Sequence, residues 1–129
     1  MPNKNNPLYR ILIIDRNSIF GTAFASLLKR SGYQVDLADR LEDGLTHYQV
    51  NPPDLILIGV DVDDPTPFFE AIRSLDGAKF IALLSRETPR PNCLPEILQA
   101  VKGHPVFYKP FRTEEVLAAI YAALVPQEA

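Results

Sequence analysis

With 129 residues, 47% of them apolar, the chain has the size and core-forming content of one globular domain. Thirteen basic against 16 acidic residues, a net charge of −3, argue against a direct nucleic-acid binder, which carries a basic excess or stripe. No apolar run approaches the roughly 20 residues of a bilayer span, the polar start lacks a signal-peptide core, and the single Cys93 excludes an intrachain disulfide, so a cytoplasmic protein with no membrane partner is expected.

Residues 1–8 read as a flexible arm. Arg10-Ile11-Leu12-Ile13-Ile14 is a continuous apolar run ending at Asp15, the signature of a strand buried on both faces of a parallel sheet. From Ser18 the period lengthens: Ile19, Phe20, Ala23, Phe24, Leu27 and Leu28 mark one face of a helix, with Asn17 or Ser18 as cap and Gly32 as stop. Tyr33, Val35 and Leu37 alternate as in a strand. A second helix has Leu41, Leu45 and Tyr48 on its apolar face, is weakened by Gly44, and stops at Pro52-Pro53.

Asp54-Leu55-Ile56-Leu57-Ile58 is the second fully apolar strand. A third helix carries Phe68, Ile72 and Leu75 and starts near Pro65 or Pro67, where proline is tolerated in a first turn. Phe80-Ile81-Ala82-Leu83-Leu84 is the next strand. The prolines between Glu87 and Pro95 predict a long irregular loop and a short or late-starting fourth helix with Ile97, Leu98 and Val101 inward. Pro105-Val106-Phe107-Tyr108 is the last strand. Thr113 is placed to cap a final helix whose first turn holds Glu114 and Glu115 and whose apolar face is Val116, Leu117, Ile120 and Leu124. Strands alternating with helices give a doubly wound α/β domain, (βα)5, over residues 9–125, with 126–129 as a tail or linker. In such a sheet, sites form at the carboxyl ends of the strands.

Over that span the chain resembles the response-regulator receiver domains of two-component signalling. The residues that carry the resemblance are Ile11 to Asp15, Ser31-Gly32-Tyr33-Gln34-Val35, Pro53 to Ile58 and, most specifically, Tyr108-Lys109-Pro110-Phe111. The resemblance implies a flavodoxin-like parallel sheet of order 2-1-3-4-5. It also implies a phosphorylation pocket: an aspartate ending the third strand accepts phosphate, paired acidic residues ending the first strand help hold Mg²⁺, and a threonine or serine ending the fourth strand and a lysine after the fifth contact the phosphoryl group.

Carried over position by position, the pocket is degenerate. Asp15 matches the first acidic residue, but Arg16 stands at the second. Gly59 stands at the acceptor position, and Asp61 is the next carboxylate. Leu84 falls at the hydroxyl position, or Ser85 with a shift of one residue. Lys109 is kept, and Val106 replaces the aromatic switch residue. Glycine offers no nucleophile, and a guanidinium beside the metal position repels a dication, so neither phosphorylation at residue 59 nor bound Mg²⁺ or another cofactor is expected. Lys109 and Arg16 are instead expected to compete for Asp15, with Asp61 closing the network. The cluster of Asp61, Asp63 and Asp64 lacks the glycine and distal glutamate of a calcium loop.

The expected role is a non-enzymatic pseudo-receiver. It would bind a protein partner or a second copy through the face of the fourth helix, fifth strand and fifth helix. Two alternatives stand beside it: a receiver still phosphorylated at Asp61 or a shifted site, and a small-ligand sensor using the crevice at the strand ends.

Overall fold

The apolar runs become the interior of a parallel sheet because each has hydrogen-bonded neighbours on both sides and helices on both faces. The computed structural model describes residues 9–61, 64–75, 77–85 and 94–125. The elements run β1 (Arg10–Ile14), α1 (Ser18–Arg30), β2 (Gln34–Ala38), α2 (Leu41–Val50), β3 (Leu55–Asp61), α3 (Thr66–Ser74), β4 (Phe80–Ser85), α4 (Leu94–Ala100), β5 (Val106–Tyr108) and α5 (Thr113–Leu124). The strand order is β2-β1-β3-β4-β5 with every pairing parallel, as the resemblance implies. The arm at 1–8, the proline-rich stretch at 86–93 with Cys93, Asp63, and the tail at 126–129 lie outside the described residues.

Alternation along each strand sorts the core into two layers. Ile11, Ile13, Leu55, Leu57, Ile81 and Leu83 face α1 and α5, meeting Phe24, Leu28, Val116 and Ile120. Leu12, Ile14, Ile56, Ile58, Ala82 and Leu84 face the other way, toward Phe68, Leu75, Ile97 and Val101. Each fully buried aliphatic side chain contributes about 1.5–3 kcal/mol, so the six-residue floors of these layers dominate the stability of the domain.

Local signals hold with four corrections. Asn17 caps α1, its Oδ1 accepting from the Phe20 N–H at 3.0 Å, but Ile19 lies off the apolar face and is 83% exposed. β3 runs three residues past Ile58, because Gly59, Val60 and Asp61 pair with Leu83, Leu84 and Ser85. Thr113 is the first residue of α5 rather than its cap; Arg112 holds the cap position and supplies no side-chain bond. In α4, Ile97 and Val101 are buried while Leu98 is exposed, and the helix is short at seven residues.

Gly44 has a reason that helix propensity conceals. It is a buried residue of α2, and a Cβ there would lie 2.5 Å from Cδ1 and 2.7 Å from Cγ1 of the buried Ile14. The helix approaches β1 that closely only without a side chain. Gly44→Ala should therefore destabilise the protein in urea denaturation. Overpacking costs about 1–3 kcal/mol, against the roughly 1 kcal/mol that alanine gains in a helix interior. A raised denaturation midpoint would show that the contact is not tight.

Candidate functional site

The carboxyl ends of β1, β3, β4 and β5 converge on a polar cavity of about 340 Å³ lined by Asp15, Arg16, Asn17, Gly59, Asp61, Ser85 and Lys109. Parallel strands put these residues at one edge, since every strand ends on the same side of the sheet. Asp15 directly follows β1, its N–H donating to the Ala38 carbonyl at 3.0 Å. Lys109 directly follows β5, its N–H donating to the Leu84 carbonyl at 2.8 Å. The Lys109-Pro110 peptide is cis.

At the centre is an ion pair. Lys109 Nζ donates to Asp15 Oδ2 at 2.6 Å. Asp15 is 5% exposed, and the Lys109 side chain 16%. The second carboxylate oxygen, Oδ1, accepts the Asn17 N–H at 2.9 Å. On its far side Lys109 Nζ lies 4.1 Å from the ring centroid of Phe20, a cation–π contact in a partly desolvated setting. Phe20 is itself stacked on Phe24 at 5.5 Å and meets Phe111 edge-on at 5.8 Å. The ammonium is thus held between a carboxylate and an aromatic cluster.

Arg16 does not compete for Asp15. The guanidinium turns outward and pairs with Asp61 Oδ2 at 3.5 Å, at a solvent-exposed position where such a pair contributes at most about 1 kcal/mol. Among the described residues, the pairs Lys109–Asp15 and Arg16–Asp61 stand where the sequence suggests one network shared at Asp15. Asp15 follows β1 and lies deep, whereas Asp61 closes a β3 that runs three residues past Ile58, the partner of the last β1 residue, and ends nearer the rim. Among the described lining residues, the carboxylates of Asp15 and Asp61 are matched by the cations of Lys109 and Arg16.

Of the two candidate hydroxyl positions, Leu84 is buried in the core on the α2–α3–α4 side. Ser85, opposite Asp61 in the sheet register, lines the pocket. Val106 packs on the same core layer as Leu84. Among the described residues no three His, Cys, Asp or Glu side chains converge as a metal site. His104 stacks on Phe80 at 3.7 Å and His47 borders a groove beside β2, both away from this cavity. Sequence reading missed Asn17 as a pocket residue and Phe20 as a partner of Lys109. Helical periodicity assigns Phe20 to the apolar face. Its place in the first turn of α1, at the same end as the pocket, is the signal that it also reaches Lys109.

Known proteins with this architecture are numerous. No protein-family model matches the chain. A transcriptional regulatory protein of Bacillus subtilis (strain 168), YvcP, itself uncharacterised, is 28% identical over 123 residues; the match covers 91% of this chain and 49% of that protein, so the chain spans about half its relative's length. A two-component response regulator from Clostridium difficile superposes with a TM-score of 0.72 at 20% identity, covering 94% of this chain and 99% of that one. A CheY-like receiver domain protein from Methanospirillum hungatei JF-1 gives 0.71 at 23% identity, with coverage of 92% and 94%. The chemotaxis response regulator CheY4 of Vibrio cholerae gives 0.69 at 23% identity, with coverage of 92% and 100%. The chain has the fold of response-regulator receiver domains.

Proposed function

We propose that this domain is a receiver-like signalling module that works by binding a protein partner and does not accept phosphate. The observation that carries the reading is the occupation of the pocket: at Gly59, where the resemblance puts the acceptor, there is no side chain, and the Asp15 carboxylate fills the adjoining space while bound to Lys109. Phosphoryl transfer relies on a positioned nucleophile and on metal neutralisation of charge. Here the nucleophile is missing and both pocket carboxylates already face cations. That donor set fits Mg²⁺ poorly, since the ion takes oxygen ligands in near-octahedral array and Arg16 brings positive charge to the rim.

The partner surface in this reading is the face of α4, β5 and α5. Leu98 on α4 and Tyr108 on β5 are large apolar residues left 40% and 46% exposed, a composition suited to the core of a protein contact. The occupant is a protein partner or a second copy. The likeness to half of a transcriptional regulatory protein supports a regulatory role. In this reading the role is exercised in the cytoplasm and without an enzymatic step of its own. Among the described residues no helix is long and apolar enough to cross a membrane.

A second reading retains phosphorylation at Asp61, which lines the same pocket and is more accessible than Asp15. Incubation with acetyl phosphate and Mg²⁺ separates the two. The proposal expects no mass gain, and millimolar Mg²⁺ should leave the melting temperature unchanged, because a ligand stabilises only what it binds preferentially in the folded state. One added phosphoryl group mapped to Asp61 would establish the second reading instead. The ion pair has its own test. Asp15→Ala strands a mostly buried ammonium and should destabilise the protein by about 3 kcal/mol in urea denaturation. A variant as stable as the parent would mean that Lys109 needs no counter-charge.

A further inference from the structure

The structure assigns a specific role to Gly59: we infer that it is the steric lock that holds Asp15 on Lys109, so that the residue at position 59 decides whether the pocket is closed. The backbone does not call for glycine there. Gly59 sits inside regular β3 and is not among the glycines with positive φ, which are Gly32, Gly77 and Gly103. Glycine in a strand interior is unfavourable unless something must come close.

What comes close is the whole carboxylate of Asp15. A Cβ at residue 59 would lie 2.6 Å from Oδ2, 2.7 Å from Cγ and 3.2 Å from Oδ1. A flexible side chain could swing away from such a clash, but this one is pinned at both oxygens. Oδ2 holds Lys109 Nζ at 2.6 Å and Oδ1 holds the Asn17 N–H at 2.9 Å. Any turn large enough to clear a methyl group gives up one of those bonds. The two severe contacts are with Oδ2 and Cγ, while Oδ1 is only tight, so the bond expected to give way is the one from Oδ2 to Lys109. A side chain at 59 and the Asp15–Lys109 pair are mutually exclusive. The closed state is therefore set by one missing carbon atom rather than by a bound ion. The inference deepens the proposed function and rests on its closed pocket.

The test is a double-mutant cycle read by thermal melting, with Lys109 reactivity as a second readout. Gly59→Ala should lower the melting temperature by about 5 °C or more. Asp15→Ala should lower it too. Residues that act as a unit are not additive, so the double variant should melt within about 2 °C of Asp15→Ala alone. An amine-reactive acylating reagent, mapped by mass spectrometry, should modify Lys109 several-fold faster in Gly59→Ala than in the parent, with the exposed Lys29 as internal standard. Additive losses in the cycle, or unchanged Lys109 reactivity in a folded Gly59→Ala protein, would overturn the assignment. If Gly59→Ala does not fold, the double variant decides. A folded double variant that melts like Asp15→Ala supports the lock, and an unfolded one overturns it. Phosphate uptake by the parent would sink the proposed function while leaving this cycle intact, so the two fail separately.

Discussion

A lysine and an aspartate 94 positions apart meet at 2.6 Å where β1 and β5 end. Neither strand touches the other in the sheet, since β3 and β4 lie between them. The pair therefore ties the carboxyl ends of β1 and β5 together across the intervening β3 and β4. A mostly buried ammonium tolerates that position only with a counter-charge, and removing one partner of such a pair costs more than the pair itself contributes. The other features of the pocket follow from keeping it intact. Asn17 orients the carboxylate, Phe20 covers the ammonium, and Gly59 leaves the space that the carboxylate occupies.

The fold supplies the rigidity that this arrangement needs. β1, β3 and β4 are apolar on both faces and packed between two helical layers, so their ends cannot shift independently. Close approach uses the same device at Gly44 and at Gly59. Gly44 lets α2 settle on Ile14, and Gly59 lets Asp15 settle on β3. Both glycines weaken the element that holds them and tighten the contact between elements.

Against that frame the outer pair of Arg16 and Asp61 is a minor feature. It is exposed, at 3.5 Å, and its strength depends on salt. Its consequence lies in charge: among the described lining residues it and the deeper pair match each carboxylate with a cation.

Much of this protein was legible in the order of its residues. Apolar runs of four or five residues separated by helical periods dictate a doubly wound parallel sheet, because only a strand covered on both faces can be apolar throughout. The cap at Asn17, the buried faces of α3 and α5, and the gathering of Asp15, Gly59 and Lys109 at one edge all follow from local pattern plus the rule that parallel strands end together. Tertiary structure alone decided the rest. Ile19 satisfies the helical period yet faces solvent, because periodicity gives the spacing of a face and not its width. β3 outruns its apolar segment because β4 offers hydrogen-bonding partners as far as Ser85. Arg16 chooses Asp61 over Asp15 because the two carboxylates lie at different depths, a difference set by the lengths of two strands and invisible in either one. Gly59 reads in the sequence as an acceptor lost. Only the packed structure turns it into space occupied, since a missing Cβ has meaning only once its neighbour across the sheet is known.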